Sequence, residues 1–305
     1  MAMKPAINFM GVRNIAFAIT IILTVASLGS LVFKGLNFGL DFTGGTLIEL
    51  NYAKPIQPEL VREQLRAAGY GDAQVQSFGA TTDILVRLAG DDPQLGNKVA
   101  QALEVQGGDN KLTINRVEFV GPAVGEELRD QGGLGMLLAM AGIMLYVAFR
   151  FQWKFGAGAI VALFHDVIIT LGVFSFFQIT FDLTVLAAVL AIIGYSLNDT
   201  IVVFDRIREN FRLLRKADLI ENINISTTQT LLRTLATSIS TLLAVAALMF
   251  MGGENLWGFS LALFVGVTAG TYSSVYMASV ILIWLDLTSD DLIPPVEVEA
   301  VDDRP

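Results

Sequence analysis

The apolar positions of this chain fall into six long runs, at 15–33, 132–149, 156–177, 184–204, 234–252 and 257–285. Each is close to or above the roughly 17–25 residues that cross a bilayer as a helix. The last is long enough to tilt or to end in the interface. Phe9, Trp153, Trp257 and Trp284 stand near the run ends, where aromatic rings are favoured. The first run follows Lys4 and Arg13, and "VASLGS" resembles a cleavage site. Its length nonetheless favours an uncleaved anchor over a signal peptide.

Between the first two runs the pattern changes. "GTLIELNYA" alternates as a strand, and "QPELVREQLRAAG" has the period of a helix with a glycine stop. "AQVQSFG" and "DILVRLA" read as two strands joined by a short turn. "DPQLGNKVAQALEVQ" opens with an Asp-Pro cap and first turn, and "LTINRVEFV" closes as a strand. The order β-α-β-β-α-β predicts a small α+β ferredoxin-like domain within 34–131. That fold hosts many functions and names none.

Composition supports the membrane reading. Of 305 residues 53% are hydrophobic and 16% charged, with mean hydropathy +0.60, too apolar for an ordinary soluble domain. The expected fold is therefore an α-helical polytopic membrane protein with six transmembrane helices. The net charge of −9 owes much to seven acids in 286–305, an acidic solvated tail. No basic surface suits a nucleic acid. The chain has no cysteine and one histidine, so no metal site is expected.

Lys and Arg set the orientation. They occur before the first run (Lys4, Arg13), between the second and third (Arg150, Lys154) and between the fourth and fifth (Arg206, Arg208, Arg212, Arg215, Lys216, Arg233), while the alternate short loops hold only Asp182 and Glu254. Both termini are expected in the cytoplasm, with 34–131 outside. The expected organisation is a cytoplasmic 1–14, a first helix 15–33, the outer domain with its linkers 34–131, a five-helix region 132–285 and a cytoplasmic tail 286–305. Within the five-helix region, 205–232 carries Ile207, Phe211, Leu214 and Leu219 loosely on one face, which suits a surface-lying amphipathic helix or a solvated charged loop.

Charged residues inside the runs are the candidate chemistry, because each costs about 2.5 kcal/mol or more to insert. Asp199 lies some five residues from the end of the fourth run, ~8 Å deep, with Ser196 one turn back, Asn198 beside it and Gly194 leaving room for a neighbouring helix. In the fifth run Arg233, Thr237 and Ser240 or Thr241 form a polar stripe. Arg233 can lie level with Asp199, and Arg206, two turns away on the same helix face, is its rival. His165 and Asp166 lie near the middle of the third run, with Thr170 within reach of Asp166. The sixth carries the small-residue pattern Gly266 to Gly270. Burial opposes the charge on Asp199 and a nearby arginine supports it, so the pair suits a proton or ion pathway. A static ion pair, with His165 and Asp166 a satisfied polar pair fixing helix packing, is the structural alternative.

The sequence resembles a known family at "GLNFGLDFTGGTLIEL" from Gly35, "GPAVGEELRDQGG" from Gly121, "ALFHDVIITLG" from Ala162, "IIGYSLNDTIVVFDRIREN" from Ile192 and "TLLRTLATSISTLLAV" from Thr230. It is similar to the SecF subunits of the bacterial Sec protein-export machinery, in the SecD/SecF family of the resistance-nodulation-division superfamily. The resemblance covers nearly the whole chain. It implies a non-enzymatic accessory subunit without cofactors that pairs with SecD, assists the SecYEG channel and the SecA motor, and draws on the proton-motive force. YajC and YidC are further implied partners, and unfolded preproteins the substrates. The resemblance assigns the proton path to Asp199 and Arg233; the residue pattern itself adds Ser196, Asn198, His165, Asp166 and Thr237 as candidate supporting polar residues. It makes Asp41, Gly44 and Gly45 a signature loop, read as a hinge or as an ordinary turn into the first strand. A purely structural subunit, a stand-alone small-molecule exporter and an intramembrane protease are the rival classes.

Overall fold

The computed structural model describes residues 6–90, 92–106, 110–213, 217–288 and 291. A short 3-10 turn, Phe9–Val12, leads into α1 (Arg13–Phe33). Then come β1 (Asn37–Phe38), α2 (Leu40–Thr43), β2 (Gly45–Tyr52), α3 (Pro58–Ala67), β3 (Gln74–Phe78), β4 (Ala80–Leu88), α4 (Leu95–Gln106) and β5 (Leu112–Val120). The rest is α5 (Pro122–Arg150), α6 (Trp153–Phe177), β6 (Thr180–Phe181), α7 (Leu183–Leu213), α8 (Leu219–Met251), α9 (Glu254–Val275) and α10 (Met277–Trp284). Six helical stretches among the described residues are long and apolar enough to cross a membrane, and they contain the six apolar runs apart from residues at the run ends.

The insert forms one antiparallel sheet in the order β3-β4-β2-β5, the strand order of a ferredoxin-like layer. Alternation on β2 explains its two faces. Thr46, Ile48, Leu50 and Tyr52 are buried, with Val61 and Leu65 of α3 and Val99 and Leu103 of α4 also in the core. Leu47, Glu49 and Asn51 point the other way and are only half-buried. The Asp-Pro start of the second helix works as a cap, with Asp92 Oδ1 accepting from the Gln94 N–H at 2.8 Å.

Two elements differ from the sequence reading. Residues 205–213 continue α7 and 219–232 open α8, so 205–232 is not a separate helix lying on a surface. Its apolar residues serve a hairpin instead. Ile207 and Ile223 are both fully buried in one apolar cluster, with Phe211 and Leu219 packed against it. Between them Asn210 Nδ2 donates to Ser226 Oγ at 2.8 Å, and Asn222 Nδ2 reaches the Ile207 carbonyl. Leu214, Arg215 and Lys216 lie outside the described residues, as do Lys4 and, apart from 286–288 and 291, the acidic tail. The second difference is the sixth run, which is broken at Tyr276 between α9 and α10. Thr271 and Ser274 turn their hydroxyls back onto the carbonyls of Val267 and Thr271, which bends helices.

Sheet and bundle are fastened at one junction. β1 and β6 pair in parallel, and the Gly39 N–H donates to the Phe181 carbonyl at 2.8 Å. The rings of Phe38, Phe42 and Phe181 pack together there. Arg87, on β4, donates to the Phe38 carbonyl at 3.1 Å. Burial pulls the Arg87 guanidinium below its ordinary value, against the charges of Asp182 and Asp41.

Candidate functional site

α7 carries the centre of the site. Ser196 and Asp199, three residues apart, share its inward face and are both buried. Asp199 is 3% exposed, and its Oδ2 has no hydrogen-bond partner. The helix tolerates an acid there because α8 and α9 pack closely on both sides, shielding it from lipid.

α7 and α8 run antiparallel, as two contacts show. Asn210 bonds Ser226, and fifteen residues back Tyr195 Oη donates to Ser238 Oγ at 3.3 Å. Between those contacts Asp199 falls level with the turn 233–237. Arg233 is therefore at the height of Asp199, and its charge reaches Asp199 through space. No ion pair within 4.0 Å joins the two among the described residues. Thr234 turns inward, whereas Arg233 is exposed on the outer face of α8. The rival Arg206 is engaged elsewhere, with Glu209 at 2.9 Å on its own helix.

The supporting residues divide. Thr237 donates within α8 to the carbonyls of Arg233 and Thr234, and Asn198 lies on the exposed face of α7. Neither joins Asp199. Ser196 instead joins His165 and Asp166. The Asp166 carboxylate, fully buried, meets His165 Nδ1 at 2.9 Å and accepts from the hydroxyls of Ser196 and Ser273, the latter at 2.7 Å. Thr170 bonds the Asp166 backbone carbonyl and not its carboxylate. Ser273 was not among the sequence candidates. It could have been found, because it lies three residues after Gly270 and seven after Gly266, on the same packing face. That face seats α9 on α7: a Cβ at Gly270 would stand 3.1 Å from Ser196 Cβ, and one at Gly266 would overlap Ile192.

The loop of Asp41, Gly44 and Gly45 is at the other end of α7. Asp41 Oδ2 accepts from the Leu183 N–H at 3.0 Å, sixteen residues or about 24 Å along the helix from Asp199. Gly44 and Gly45 have φ of 66° and 115°, values side chains disfavour. Both are also hemmed in, Gly44 by Pro122 and Gly125 at the start of α5 and Gly45 by the Leu88 carbonyl.

Six apolar spans, a sheet domain clamped to the bundle and buried acids within it define a polytopic membrane protein. Comparison with known proteins narrows the class. Residues 100–288 match the family Protein export membrane protein SecD/SecF, C-terminal, and residues 29–56 match the SecD/SecF GG Motif. The Protein translocase subunit SecF of Pseudomonas aeruginosa is 70% identical over 98% of this chain and 98% of its own length. The chain belongs to the SecD/SecF family of protein-export membrane proteins, and its relatives there are SecF subunits. The crystal structure of SecDF from Thermus thermophilus, a translocon-associated membrane protein, superposes with a TM-score of 0.85 at 40% identity. The match covers 94% of this chain and 40% of the SecDF chain. A second SecDF structure, in a Super-membrane-facing form, gives 0.69 over the same coverage.

Proposed function

We propose that this membrane subunit works with SecD as a non-enzymatic part of the Sec translocase, using the proton-motive force to promote preprotein export across the bacterial inner membrane. The observation that carries the reading is the split between two charges at one depth. Asp199 is buried with one oxygen unpartnered, while the arginine level with it faces out of the bundle. Of the two side-chain types a carboxyl exchanges protons far more readily than a guanidinium, so Asp199 is the member proposed to change state. An arginine facing hydrocarbon is costly, and Ser240 and much of the apolar surface of α8 are open beside it. A second helical subunit against α8 would cover that face. SecD fits this role, since the SecDF chain is longer than this one and contains a region like it.

In this reading the sheet domain is periplasmic, both termini are cytoplasmic, and SecYEG, SecA, YajC and YidC are neighbours in the export machinery. The substrate is unfolded preprotein, and no nucleic acid or cofactor takes part. One charge crossing about 100 mV supplies ~2.3 kcal/mol, enough to shift a two-state bundle that binds the proton unequally. The test is Asp199→Asn with SecD and the channel in the same membranes. Proton-gradient stimulation of export should disappear while complex yield stays at the wild-type level. Normal stimulation would overturn the reading, and lost yield would favour a purely structural subunit.

A further inference from the structure

His165 and Asp166 are adjacent on α6 and both are interior, 4% and 0% exposed. Neighbouring helical side chains diverge by about 100°, and α6 can bury both because it packs against α1, α7, α9 and α10. Three donors converge on Asp166, from α6 itself, from Ser196 of α7 and from Ser273 of α9. Among the described residues no lysine or arginine pairs with it. With Nδ1 donating to the carboxylate, the ring's second nitrogen carries its lone pair. That atom, His165 Nε2, is buried without a hydrogen-bond partner. The cluster therefore places a carboxyl group and a ring nitrogen without a protein partner side by side in the packed interior, where an uncompensated charge is costly.

We infer that His165 and Asp166 form a second proton-accepting site, loaded at His165 Nε2 and held against the α7 face that carries Asp199. The proton adds to the Nε2 lone pair, the imidazole becomes an imidazolium, and Asp166 stays ionised. The pair passes from one negative charge to none, and release reverses the step with the Nδ1–H still on Asp166. Ser196 sets this placement, because its hydroxyl is held on Asp166 while Asp199 lies one turn on along the same helix face. The other titratable groups on the packed elements are few. α7 adds Tyr195, bonded to Ser238, and α9 adds Tyr272, whose Oη donates to the Ala16 carbonyl. Within its apolar stretch α5 has Tyr146, with Arg150 at its end on Asp205, and α1 has only Arg13 at its start, with Lys34 just past its end. The site's role in coupling rests on the proton reading of Asp199, but its capacity to take a proton does not.

The rival is a fixed pin holding α6, α7 and α9 together, which needs no change of protonation. His165→Asn separates the two, because the asparagine amide can replace the Nδ1 donor yet has no basic nitrogen. The chain has a single histidine, so ¹⁵N-histidine labelling of the full chain in liposomes, without a histidine tag, reports this ring alone. The expected spectrum is an Nδ1–H ring with bare Nε2 at the high end of a pH series, becoming doubly protonated towards its low end. In membranes with the export machinery, His165→Asn should keep complex yield, lower gradient-stimulated export by about tenfold or more, and remove one ionisation from its pH profile. A ring that stays neutral across that range, or a His165→Asn protein with the wild-type stimulation and profile, would overturn the proposal. Failure of the Asp199 reading shows separately, in the Asp199→Asn protein, and leaves the spectrum to decide the ring.

Discussion

The Asp41 carboxylate accepts the Leu183 backbone N–H at 3.0 Å, so a residue just beyond the first membrane helix caps the helix that carries Asp199. Asp182 adds to the same end, accepting from the Val185 N–H at 2.9 Å. Acids at a helix start satisfy free N–H groups and complement the helix dipole. Asp41→Ala removes one of these caps and is expected to cost about 1 kcal/mol, whereas Asp41→Asn keeps an acceptor oxygen and most of the stability. Amide exchange at Leu183 in the full chain measures this. It should quicken several-fold in the alanine variant and little in the asparagine variant. Unchanged exchange in both would remove Asp41 as the cap.

The two glycines after Asp41 differ in how they resist a side chain. A Cβ on Gly44 would stand 2.7 Å from Pro122 Cα at φ 66°, and one on Gly45 would overlap the Leu88 carbonyl at φ 115°. The first combines φ 66° with ψ 175°, a region kept almost entirely for glycine that costs about 1–3 kcal/mol for other residues, and adds pressure on the Pro122 backbone. The second combines an unfavourable φ with a closer collision, against strand backbone that cannot rotate away as a side chain can. Gly45→Ala is therefore expected to be the more damaging, by about 2 kcal/mol or more in all. Gly29→Ala is the control, since nothing lies within 4 Å of its added methyl. Thermal unfolding of the three variants in one detergent should rank them Gly45, Gly44, Gly29 from worst to mildest.

In the outer domain, Tyr52 is 1% exposed and its hydroxyl has no hydrogen-bond partner. Burial pushes the phenol up to about 12 from its ordinary 10. A raised value means the unfolded chain loses its proton first, so this contribution to stability is intact below about pH 10 and is lost as pH rises towards 12. Tyr52→Phe removes an unsatisfied buried hydroxyl at nearly constant shape and should be neutral or stabilising at neutral pH. It should also flatten the alkaline loss. Denaturant unfolding of the sheet, followed by exchange at β2 amides at neutral pH and at about pH 11, tests both parts. A clear destabilisation at neutral pH would mean that the hydroxyl has a partner.

The spans and the strand order were legible because each rests on local signals: a period of 3.6 for the helices, 2 for β2, a glycine at a helix stop and Asp-Pro at a helix start. Asp199 and the level of Arg233 could also be read, since a helical hairpin fixes which turns face each other. The unread parts are those that depend on distant partners. Asp41 as a cap requires Leu183, 142 residues away. Ser273 on Asp166 spans 107 residues and three helices. The fate of 205–232 depended on whether Ile207 and Phe211 face lipid headgroups or Ile223 and Leu219, and amphipathicity is the same in either case. The break at Tyr276 had a local signal, the run of hydroxyls in "TYSSV", but hydropathy does not register it.

Gly270 links helix packing to the buried acid cluster, and a double-mutant cycle can measure the link. A Cβ at Gly270 would stand 3.1 Å from Ser196 Cβ, tight enough that the neighbour must yield. Gly270→Val adds two further methyl groups and is expected to push Ser196 from Asp166, leaving a buried carboxylate short of one donor. The cost is overpacking, about 1–3 kcal/mol, plus the lost hydrogen bond to a charged group, about 1.5–3 kcal/mol. Gly266→Ala is the comparison, because its methyl overlaps only the side chain of Ile192 and carries the packing cost alone. If the two effects at Gly270 are coupled through Ser196, then the Ser196→Ala background already lacks the donor, and Gly270→Val should cost less there than in wild type. Residues in contact give interaction energies of about 0.5–3 kcal/mol in such cycles. Unfolding of the four proteins in one detergent gives the number. Simple additivity at Gly270, like that expected of Gly266 with Ser196, would mean that α9 packs on α7 without holding the serine in place.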